Sequence, residues 1–442
     1  MTKIEIAHEW LTAGLGPSEL RLTTAQLTMR VGDVSLTHNE DIWSKTVRDA
    51  VLVSAYPLAS WLVASWWRLI YEPLPQVGRI PSLDWLMAHE LGAADSGYVW
   101  PHVVFASDGE AIQVWAIPSP PGSKQSVRYL SGLSAPRAIG IADFESTIDT
   151  FVVNVLRRLD ALGCRDTDLA KLWELVCADR ADSEATRIRR IEAQLGYDPE
   201  ECPTAVLREA RELETKVGVP AWAELAPVYG RKETGTALNE IPRLAGKSGL
   251  QGRPLDFPKQ VAGSLEGVQL PWQRAVSSAR HLRKYLGNQG NVIDDETLYG
   301  ALGLSSNVVK EWAPLDRQEV SLAVPALNST LKYLPRKRHP NAKRFEFARF
   351  LGDHIGYSES TSHWLTSTDL ATSRQKYQRA FAAEFLCPIG ALTEFLEGDF
   401  SEAALEEAGT HFGVSDQTVE SLLANNGYIT PGLYIEGLPY SV

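Results

Sequence analysis

Several features that would define the class of this protein at once are scarce or missing. The chain has only four cysteines in 442 residues, and no two of them form a C-x-x-C pair. This argues against a disulfide framework and against a cysteine zinc site. Long apolar runs are also missing, since the most apolar stretch, Val51–Ile70, is interrupted by Ser60, Ser65 and Arg68. No membrane span is therefore predicted.

Positive charge is in short supply as well. The chain carries 43 Lys and Arg against 55 Asp and Glu, which gives a formal net charge of −12. A protein this acidic is not expected to hold nucleic acid through one broad electrostatic face, although a local basic patch stays open as an alternative. Residues 1–11, MTKIEIAHEWL, lack the basic-then-apolar order of a signal peptide. We therefore expect a cytoplasmic protein without membrane association.

The pattern of apolar residues predicts an α+β fold in four stretches. Residues 1–145 show strand-like alternation and a hairpin signal at Asp108-Gly109, which predicts a mixed α/β unit rich in tryptophan. Residues 146–230 have helical spacing. Residues 231–260 are richer in Gly, Pro, Lys and Arg and are predicted to be a linker. Residues 261–442 are predicted to be mostly helical.

Tryptophan is abundant, with 13 residues, and three of them lie on one apolar helix predicted over residues 41–71: Trp61, Trp66 and Trp67. A large aromatic core is the favoured interpretation, because each tryptophan buries much apolar area. The alternative is a partner or ligand pocket in which Arg68 and an aromatic face hold an anion or a base. Three further residues are candidates for lining that pocket: Trp100, His102 and Trp115.

Two His-Glu pairs, His8-Glu9 and His89-Glu90, invite a zinc interpretation. A zinc helix of the HExxH type needs a second histidine four residues after the first, so that both imidazoles face one metal ion. The residues at those positions are Thr12 and Ala93, and neither supplies the second ligand. Both pairs are therefore predicted to be structural.

Three segments near the C-terminal end form an ordered set of motifs. They read RFEFARFLGDHI over residues 344–355, FAAEFLCP over 381–388 and AGTHFGVSDQTVESLLANNG over 408–427. In this order they resemble the ImmA/IrrE family of metallopeptidase-like proteins, over about residues 320–430. The resemblance implies a mostly helical zincin-like domain with an HExxH zinc helix.

This chain departs from the family pattern at the positions of the zinc ligands and of the catalytic base. In the family frame, Arg349 stands at the first zinc histidine, Phe350 at the catalytic glutamate, Asp353 at the second histidine, and Tyr377 near the third ligand. A guanidinium stays protonated and repels a zinc ion. A phenylalanine cannot act as the base that deprotonates bound water. The HExxH motif is therefore degenerate, and we expect a pseudo-peptidase with no catalytic residue, no metal and no cofactor.

A few residues are further candidates at this degenerate site. His354 and Glu384 are the nearest groups that are able to ligate a metal. Two more lie close by in the sequence: Glu359 and His363. Arg349 is predicted to be structural, held by Asp353 four residues further along the helix or by Glu384. Glu384 is also a candidate for holding a helix end.

The resemblance implies a setting in bacterial stress response, phage defence or toxin–antitoxin systems. The leading hypothesis is a non-catalytic regulatory or sensor protein that binds a partner protein, either a helix-turn-helix regulator or a defence component. One alternative is a divergent zinc-dependent metallopeptidase that acts on a helix-turn-helix repressor and uses Asp353, His354, Glu384 and His363. Another is a DNA-binding regulator that uses the basic stretch 336–344 and the last helices. Nucleic acid is not favoured, because the last helices are flanked by acidic residues.

Overall fold

The structure is a computed structural model that describes residues 2–430, except residues 13, 15, 77, 95, 123, 233–234, 259–269 and 358–363. The chain divides into two compact units, one built on the residues up to Leu207 and the other beginning at Arg208. Helices and small antiparallel sheets occur together, so the predicted α+β class is confirmed. Each unit has an apolar core of its own.

Unit 1 contains ten strands and seven helices within its described residues. The strands are β1 (Ile4–Trp10), β2 (Thr24–Val31), β3 (Val34–Ser35), β4 (Asn39–Asp41), β5 (Thr46–Arg48), β6 (Val51–Ser54), β7 (His102–Ser107), β8 (Ala111–Ile117), β9 (Val127–Tyr129) and β10 (Arg137–Gly140). The helices are α1 (Ser18–Leu22), α2 (Ala55–Ala64), α3 (Trp66–Tyr71), α4 (Leu83–His89), α5 (Ile141–Ala161), α6 (Asp168–Ala181) and α7 (Ser183–Gln194). A further helix, α8 (Thr204–Val217), runs past the boundary residue.

The strands of unit 1 form three small sheets. In the first, β2 pairs with β1, β3 and β6; the second has the order β10-β8-β7, and the third β5-β4-β9. The hairpin predicted at Asp108-Gly109 is confirmed, since β7 and β8 pair antiparallel on either side of it. The Asp108 carboxylate accepts hydrogen bonds from the backbone N–H groups of Glu110 and Ala111, and Gly109 has a φ of +94°. These features fix the tight turn.

The single helix predicted over residues 41–71 is wrong. Its first part forms β5 and β6, and helix begins only at Ala55, where the Ser54 hydroxyl accepts a hydrogen bond from the backbone of Tyr56. The cause is visible in β6, where Val51 and Val53 are buried and Leu52 between them is exposed. β-branched residues with this period of two favour a strand over a helix.

The unit boundary also differs from the predicted division at residues 145 and 230. Helix α5 packs against β1 and β10, and its Phe144, Phe151 and Val152 belong to the core of unit 1. The residues predicted as a helical middle are therefore shared between the two units. The predicted linker, 231–260, contains a helix and a strand within its described part. That strand joins the sheet of unit 2, so the described part of the segment contains regular structure although the segment is rich in glycine and proline.

The described residues of unit 2 are mostly helical and include one sheet of four short strands. The strands are β11 (Leu250–Gly252), β12 (Ser321–Pro325), β13 (Leu331–Leu334) and β14 (Leu365–Ser367). The helices are α9 (Val219–Tyr229), α10 (Glu240–Ala245), α11 (Pro271–Tyr285), α12 (Asp295–Ala301), α13 (Ser306–Glu311), α14 (Pro340–Tyr357), α15 (Ser373–Leu386), α16 (Ile389–Leu396), α17 (Glu402–Phe412) and α18 (Asp416–Asn425).

The sheet of unit 2 is antiparallel, with the order β11-β13-β12-β14, so β14 is an edge strand. Helix α14 lies next to β14, α15 packs on α14, and α11 packs on α15. The final helix pair, α17 and α18, is joined by a tight turn. Gly413 ends α17 in the left-handed region, the Ser415 hydroxyl accepts a hydrogen bond from the backbone of Thr418, and Val419 is buried.

Candidate functional site

Helix α14 lies close against α15 because it has two glycines on the contact face. A Cβ atom added to Gly352 would lie 2.7 Å from the ring of Phe381, and one added to Gly356 would lie 2.6 Å from the ring of Tyr377. The two rings stack with their centroids 6.4 Å apart. Burial raises the pKa of Tyr377 to about 12. Tyr377 therefore works as a neutral core aromatic at this helix contact.

Phe350, which the resemblance aligns with a catalytic glutamate, also belongs to the core. It is fully buried, and its ring lies 5.6 Å from that of Tyr333 and 6.1 Å from that of Phe347. No proton acceptor is available from this side chain. The position therefore contributes packing to unit 2.

Arg349 is buried, but the predicted carboxylate partner is wrong. Its Nη2 donates to the backbone carbonyl of Thr368 at 2.8 Å and to the side-chain oxygen of Gln375. Its Nε has no hydrogen-bond partner among the described residues. Desolvation, together with the positive charges of Arg379 and Arg336, lowers the pKa of Arg349 to about 9, although the carboxylates of Glu346 and Asp369 oppose this shift. The charge of this guanidinium is therefore poorly stabilised.

The partner expected for Arg349 is taken by another arginine. Arg374, in the first turn of α15, donates hydrogen bonds from Nε and Nη2 to the two carboxylate oxygens of Asp353. Both donor–acceptor distances are 2.7 Å. Asp353 is fully buried, and the exposed fraction of Arg374 is 6%. Burial alone lowers the pKa of Arg374, and attraction to Asp353 more than reverses this, so that the net shift is upward. A bidentate ion pair of this kind fixes the orientation of both side chains and also stabilises their charges.

A second buried carboxylate lies near this ion pair. Glu224 of α9 accepts hydrogen bonds from the Thr372 hydroxyl at 2.8 and 3.0 Å. Burial raises the pKa of Glu224; the charge of Arg374 opposes this shift and that of Asp353 adds to it. The site thus holds two carboxylates around one ion-paired guanidinium.

The side chains of the site also cover the outer edge of β14. On its inner side β14 pairs with β12. On its outer side, the Thr366 N–H donates to Asp353 at 3.3 Å, and the Thr366 carbonyl accepts from the amide groups of Gln375 and Gln378 at 3.1 and 2.8 Å.

The same arrangement continues just past the strand. The Thr368 N–H donates to Gln375 at 2.9 Å, and the Thr368 carbonyl is the acceptor for Arg349. All four outward-facing backbone groups of Thr366 and Thr368 are therefore occupied by side chains of α14 and α15. A sheet edge in this state offers no unpaired backbone N–H or C=O groups at these positions for another strand to pair with.

Glu384 and His354 take no part in this network. Glu384 accepts a hydrogen bond from the backbone N–H of Ile389 at 3.3 Å and pairs with Arg280 at 2.7 Å. Glu384 therefore caps the start of α16, as one of the expectations proposed. Its arginine partner is Arg280 and not Arg349. Burial lowers the pKa of His354. In the part of the chain that the structure describes, no three His, Cys, Asp or Glu side chains are grouped to hold a metal ion, and Glu359 and His363 lie outside that part.

Sequence reasoning missed Arg374, Gln375 and Glu224. The family frame directs attention to the positions of the metal ligands, and Arg374 and Gln375 precede the matched FAAE segment. One signal was present, because Arg374, Gln375 and Gln378 place three polar groups in the first turns of a helix whose later turns are apolar. Glu224 carries no comparable signal, since it comes from a helix far away in the sequence.

The three tryptophans of the predicted apolar helix lie in the core of unit 1, as the favoured interpretation predicts. Trp61, Trp66 and Trp67 are all buried. Trp66 also forms an edge contact with Trp173, with the ring centroids 5.8 Å apart.

The anion pocket proposed around Arg68 is wrong, because the guanidinium is already neutralised. Arg68 pairs with Glu72 at 2.6 Å, with Asp84 at 3.0 Å and with Asp198 at 3.5 Å. Burial by itself lowers the pKa of Arg68, and these carboxylates more than reverse the effect. Glu72 also bonds His89 Nε2 at 3.0 Å, while His89 Nδ1 faces the carbonyl of Phe105 at 2.7 Å.

The three residues expected to line that pocket are separated. Trp115 packs with Trp85 in a small apolar cluster. Trp100 and His102 line a cavity of their own, to which the tryptophans of α2 and α3 do not contribute.

The basic stretch 336–344, which runs into the first turns of α14, is used for internal contacts. Arg336 pairs with Asp369 at 2.5 Å, and Lys343 donates to the backbone carbonyls of Val309 and Trp312. Arg344 pairs with Asp295. These cations are therefore engaged by the fold, which leaves fewer of them for a phosphate backbone.

Comparison of the chain with models of protein families, with curated proteins and with solved structures finds no match. None of the helices in the described ranges is both long enough and apolar enough to cross a membrane.

Proposed function

We propose that this protein is a non-catalytic regulatory or sensor protein of the bacterial cytoplasm that binds a partner protein. Its second unit is a degenerate zincin-like domain of the ImmA/IrrE kind, and the partner is a helix-turn-helix regulator or another component of a stress, defence or toxin–antitoxin system. The observation that carries the proposal is the buried ion pair between Asp353 and Arg374. It lies where the resemblance expects a zinc ligand.

The electrostatics of the site support the absence of catalysis. A zinc ion near Asp353 would have to compete with a guanidinium that already uses both carboxylate oxygens. The desolvated Arg349 would add a second positive charge on the same helix face. Removing one partner of a buried ion pair typically costs about 3–5 kcal/mol. Metal binding by the native side chains is therefore opposed from both positions.

The covered edge of β14 supports the same proposal. Extended peptides are commonly held by adding a strand to an exposed sheet edge. Here the edge strand next to the degenerate site has its outward groups bound by Asp353, Gln375, Gln378 and Arg349. A peptide substrate would have to displace these side chains before it could lie along β14. A partner is therefore expected to dock elsewhere.

The first test is the metal content of the full chain after expression in zinc-supplemented medium. We expect elemental analysis to find well below one zinc per chain. About one zinc per chain, lost in the variant His354→Ala, would favour the metallopeptidase alternative instead. A positive control restores the family residues with Arg349→His, Phe350→Glu, Asp353→His and Tyr377→Glu. It also carries Arg374→Leu, because otherwise Arg374 would stay buried without a carboxylate.

The second test uses purified helix-turn-helix regulators of the host. We expect one of them to form a complex with the full chain that is stable in size-exclusion chromatography, with both chains intact whether or not zinc is added. Cleavage of the regulator that a chelator blocks would contradict the proposal. A salt-dependent DNA titration distinguishes the remaining alternative, since a DNA-binding regulator would lose affinity steeply as salt increases.

A further inference from the structure

Unit 1 contains a small cavity that the proposed function does not use. Its volume is about 190 Å³, and it lies between the end of α4 and the start of β7. The residues that line it come from three segments: Glu90 and Gly92 from the first, residues 98–102 from the second, and Gln125 from the third. Pockets for drug-sized ligands are usually about 300–1,000 Å³. This cavity therefore suits only a small molecule or a small head group.

The cavity carries a negative group held in a defined orientation. The Glu90 carboxylate accepts a hydrogen bond from His102 Nδ1, with 2.9 Å between Oε1 and the ring nitrogen. A carboxylate is only an acceptor, so the proton lies on Nδ1. The contact with Glu90 raises the pKa of His102, so the charge of Glu90 stays uncompensated at alkaline pH, where the imidazole is neutral. The exposed fraction of the Glu90 side chain is 19%, so water screens this charge only partly.

Two aromatic rings stand beside the carboxylate. The ring centroids of Tyr98 and Trp100 are 6.1 Å apart, and the planes of the rings meet at 63°. Two rings at such an angle form a corner, in which a cation can contact the negative face of one or both. Pro101 and Val99 add apolar surface to the lining. A cation that carries methyl groups gains both from the rings and from this surface.

Space beside the carboxylate is kept open by a glycine. A Cβ atom added to Gly92 would lie 3.7 Å from Glu90 Oε1 and would meet no other heavy atom within 4 Å. The backbone of Gly92 does not have a positive φ, so larger residues fit its conformation. A long side chain at this position would therefore extend into the cavity without straining the chain.

We propose that this cavity binds a small organic cation with a methylated ammonium head, held by the carboxylate of Glu90 and the aromatic corner of Tyr98 and Trp100. The proposal is independent of the function assigned to unit 2, and it gives the protein a ligand site in unit 1.

The probes are choline and 3,3-dimethylbutan-1-ol, which have similar shapes but differ in charge. Each is titrated into the full chain at pH 9, where the imidazole of His102 is neutral, and followed by calorimetry and by tryptophan fluorescence. We expect saturable binding of choline and at least tenfold weaker binding of the neutral alcohol. Equal affinities would overturn the proposal, because they would show an apolar pocket without recognition of charge. Absence of choline binding at millimolar concentration would overturn it too.

Three variants locate the site. Gly92→Leu fills the cavity, and we expect it to abolish choline binding while the melting temperature stays within a few degrees. Glu90→Gln removes the charge. It is expected to weaken the binding of choline at least tenfold and to have little effect on the binding of the neutral alcohol. Glu5→Gln, on the exposed face of β1, is the matched control for loss of one negative charge and should leave the affinity unchanged. Unchanged choline affinity in Gly92→Leu would place the binding elsewhere and overturn the proposal.

Discussion

The close approach of α14 and α15 predicts that the substitution Gly352→Ala destabilises unit 2, although alanine is the better helix former. The added Cβ would lie 2.7 Å from Cγ and Cδ1 of Phe381 and 3.0 Å from its Cβ. Carbon atoms in contact are normally at least about 3.5 Å apart. The ring cannot turn away easily, because it is stacked between Tyr377 and Phe385. The overlap therefore has to be relieved by movement of the helix backbone.

The expected magnitude follows from two opposing terms. Overpacking a well-packed core costs about 1–3 kcal/mol, and the contact with Phe381 Cβ places this case at the upper end. Replacing glycine by alanine inside a helix contributes about 1 kcal/mol in the opposite direction. We therefore expect the free energy of unfolding to fall by about 2 kcal/mol. Urea unfolding followed by circular dichroism measures this change, provided the slope with denaturant stays constant.

Gly300→Ala is the matched control for this prediction. Gly300 lies in α12 of the same unit, and a Cβ there would meet no heavy atom within 4 Å. The control should therefore raise the free energy of unfolding by about 0.5–1 kcal/mol. A double-mutant cycle with Phe381→Leu should also show that the cost of Gly352→Ala depends on the ring. If Gly352→Ala stabilised the protein as much as the control does, the proposed close contact of the helices would be refuted.

Three further predictions concern the buried charges and the tryptophan core. Asp353→Asn should lower the free energy of unfolding by about 3–5 kcal/mol, because Arg374 stays buried without a carboxylate; replacing both residues by leucine should cost less, as a comparison by urea unfolding would show. Glu224 has a raised pKa in the folded state, so its contribution to stability is full below its ordinary pKa of 4.5 and is lost as the pH rises through the folded-state value. The variant Glu224→Gln should therefore lose less stability than the native protein between pH 4 and pH 7, and equal slopes of melting temperature against pH would contradict this. Trp66→Ala should cost about 3–5 kcal/mol and lower the melting temperature markedly, because the ring is fully buried.

The sequence motifs placed α14, α15 and the last helix pair correctly because those elements depend on local spacing. Gly352 and Phe381 fall in the positions that a packed helix pair needs, and Gly413 and Ser415 form the turn between the last two helices. The strands of unit 2 are only three to five residues long, which is too short for a period of two to stand out.

Side-chain partners were less predictable than the elements that carry them. Arg349 and Asp353 are four residues apart on one helix, which made a pair between them plausible. Arg374 takes Asp353 because it reaches the site from a second helix, with both carboxylate oxygens in line with its two donors. Such a choice depends on how two helices cross, and no spacing within either helix encodes it. The division of the chain at residue 207 depends in the same way on packing between distant elements.

The side chains along the outer edge of β14 have a consequence for hydrogen exchange. An edge strand normally exchanges its outward amide protons quickly, since these face water. Here the amide protons of Thr366 and Thr368 are held by Asp353 and Gln375, which come from two different helices. They can reach solvent only when α14 and α15 move away from the strand. Their exchange rates therefore report the opening of the whole helix pair, so that a sheet edge becomes one of the slowly exchanging parts of unit 2.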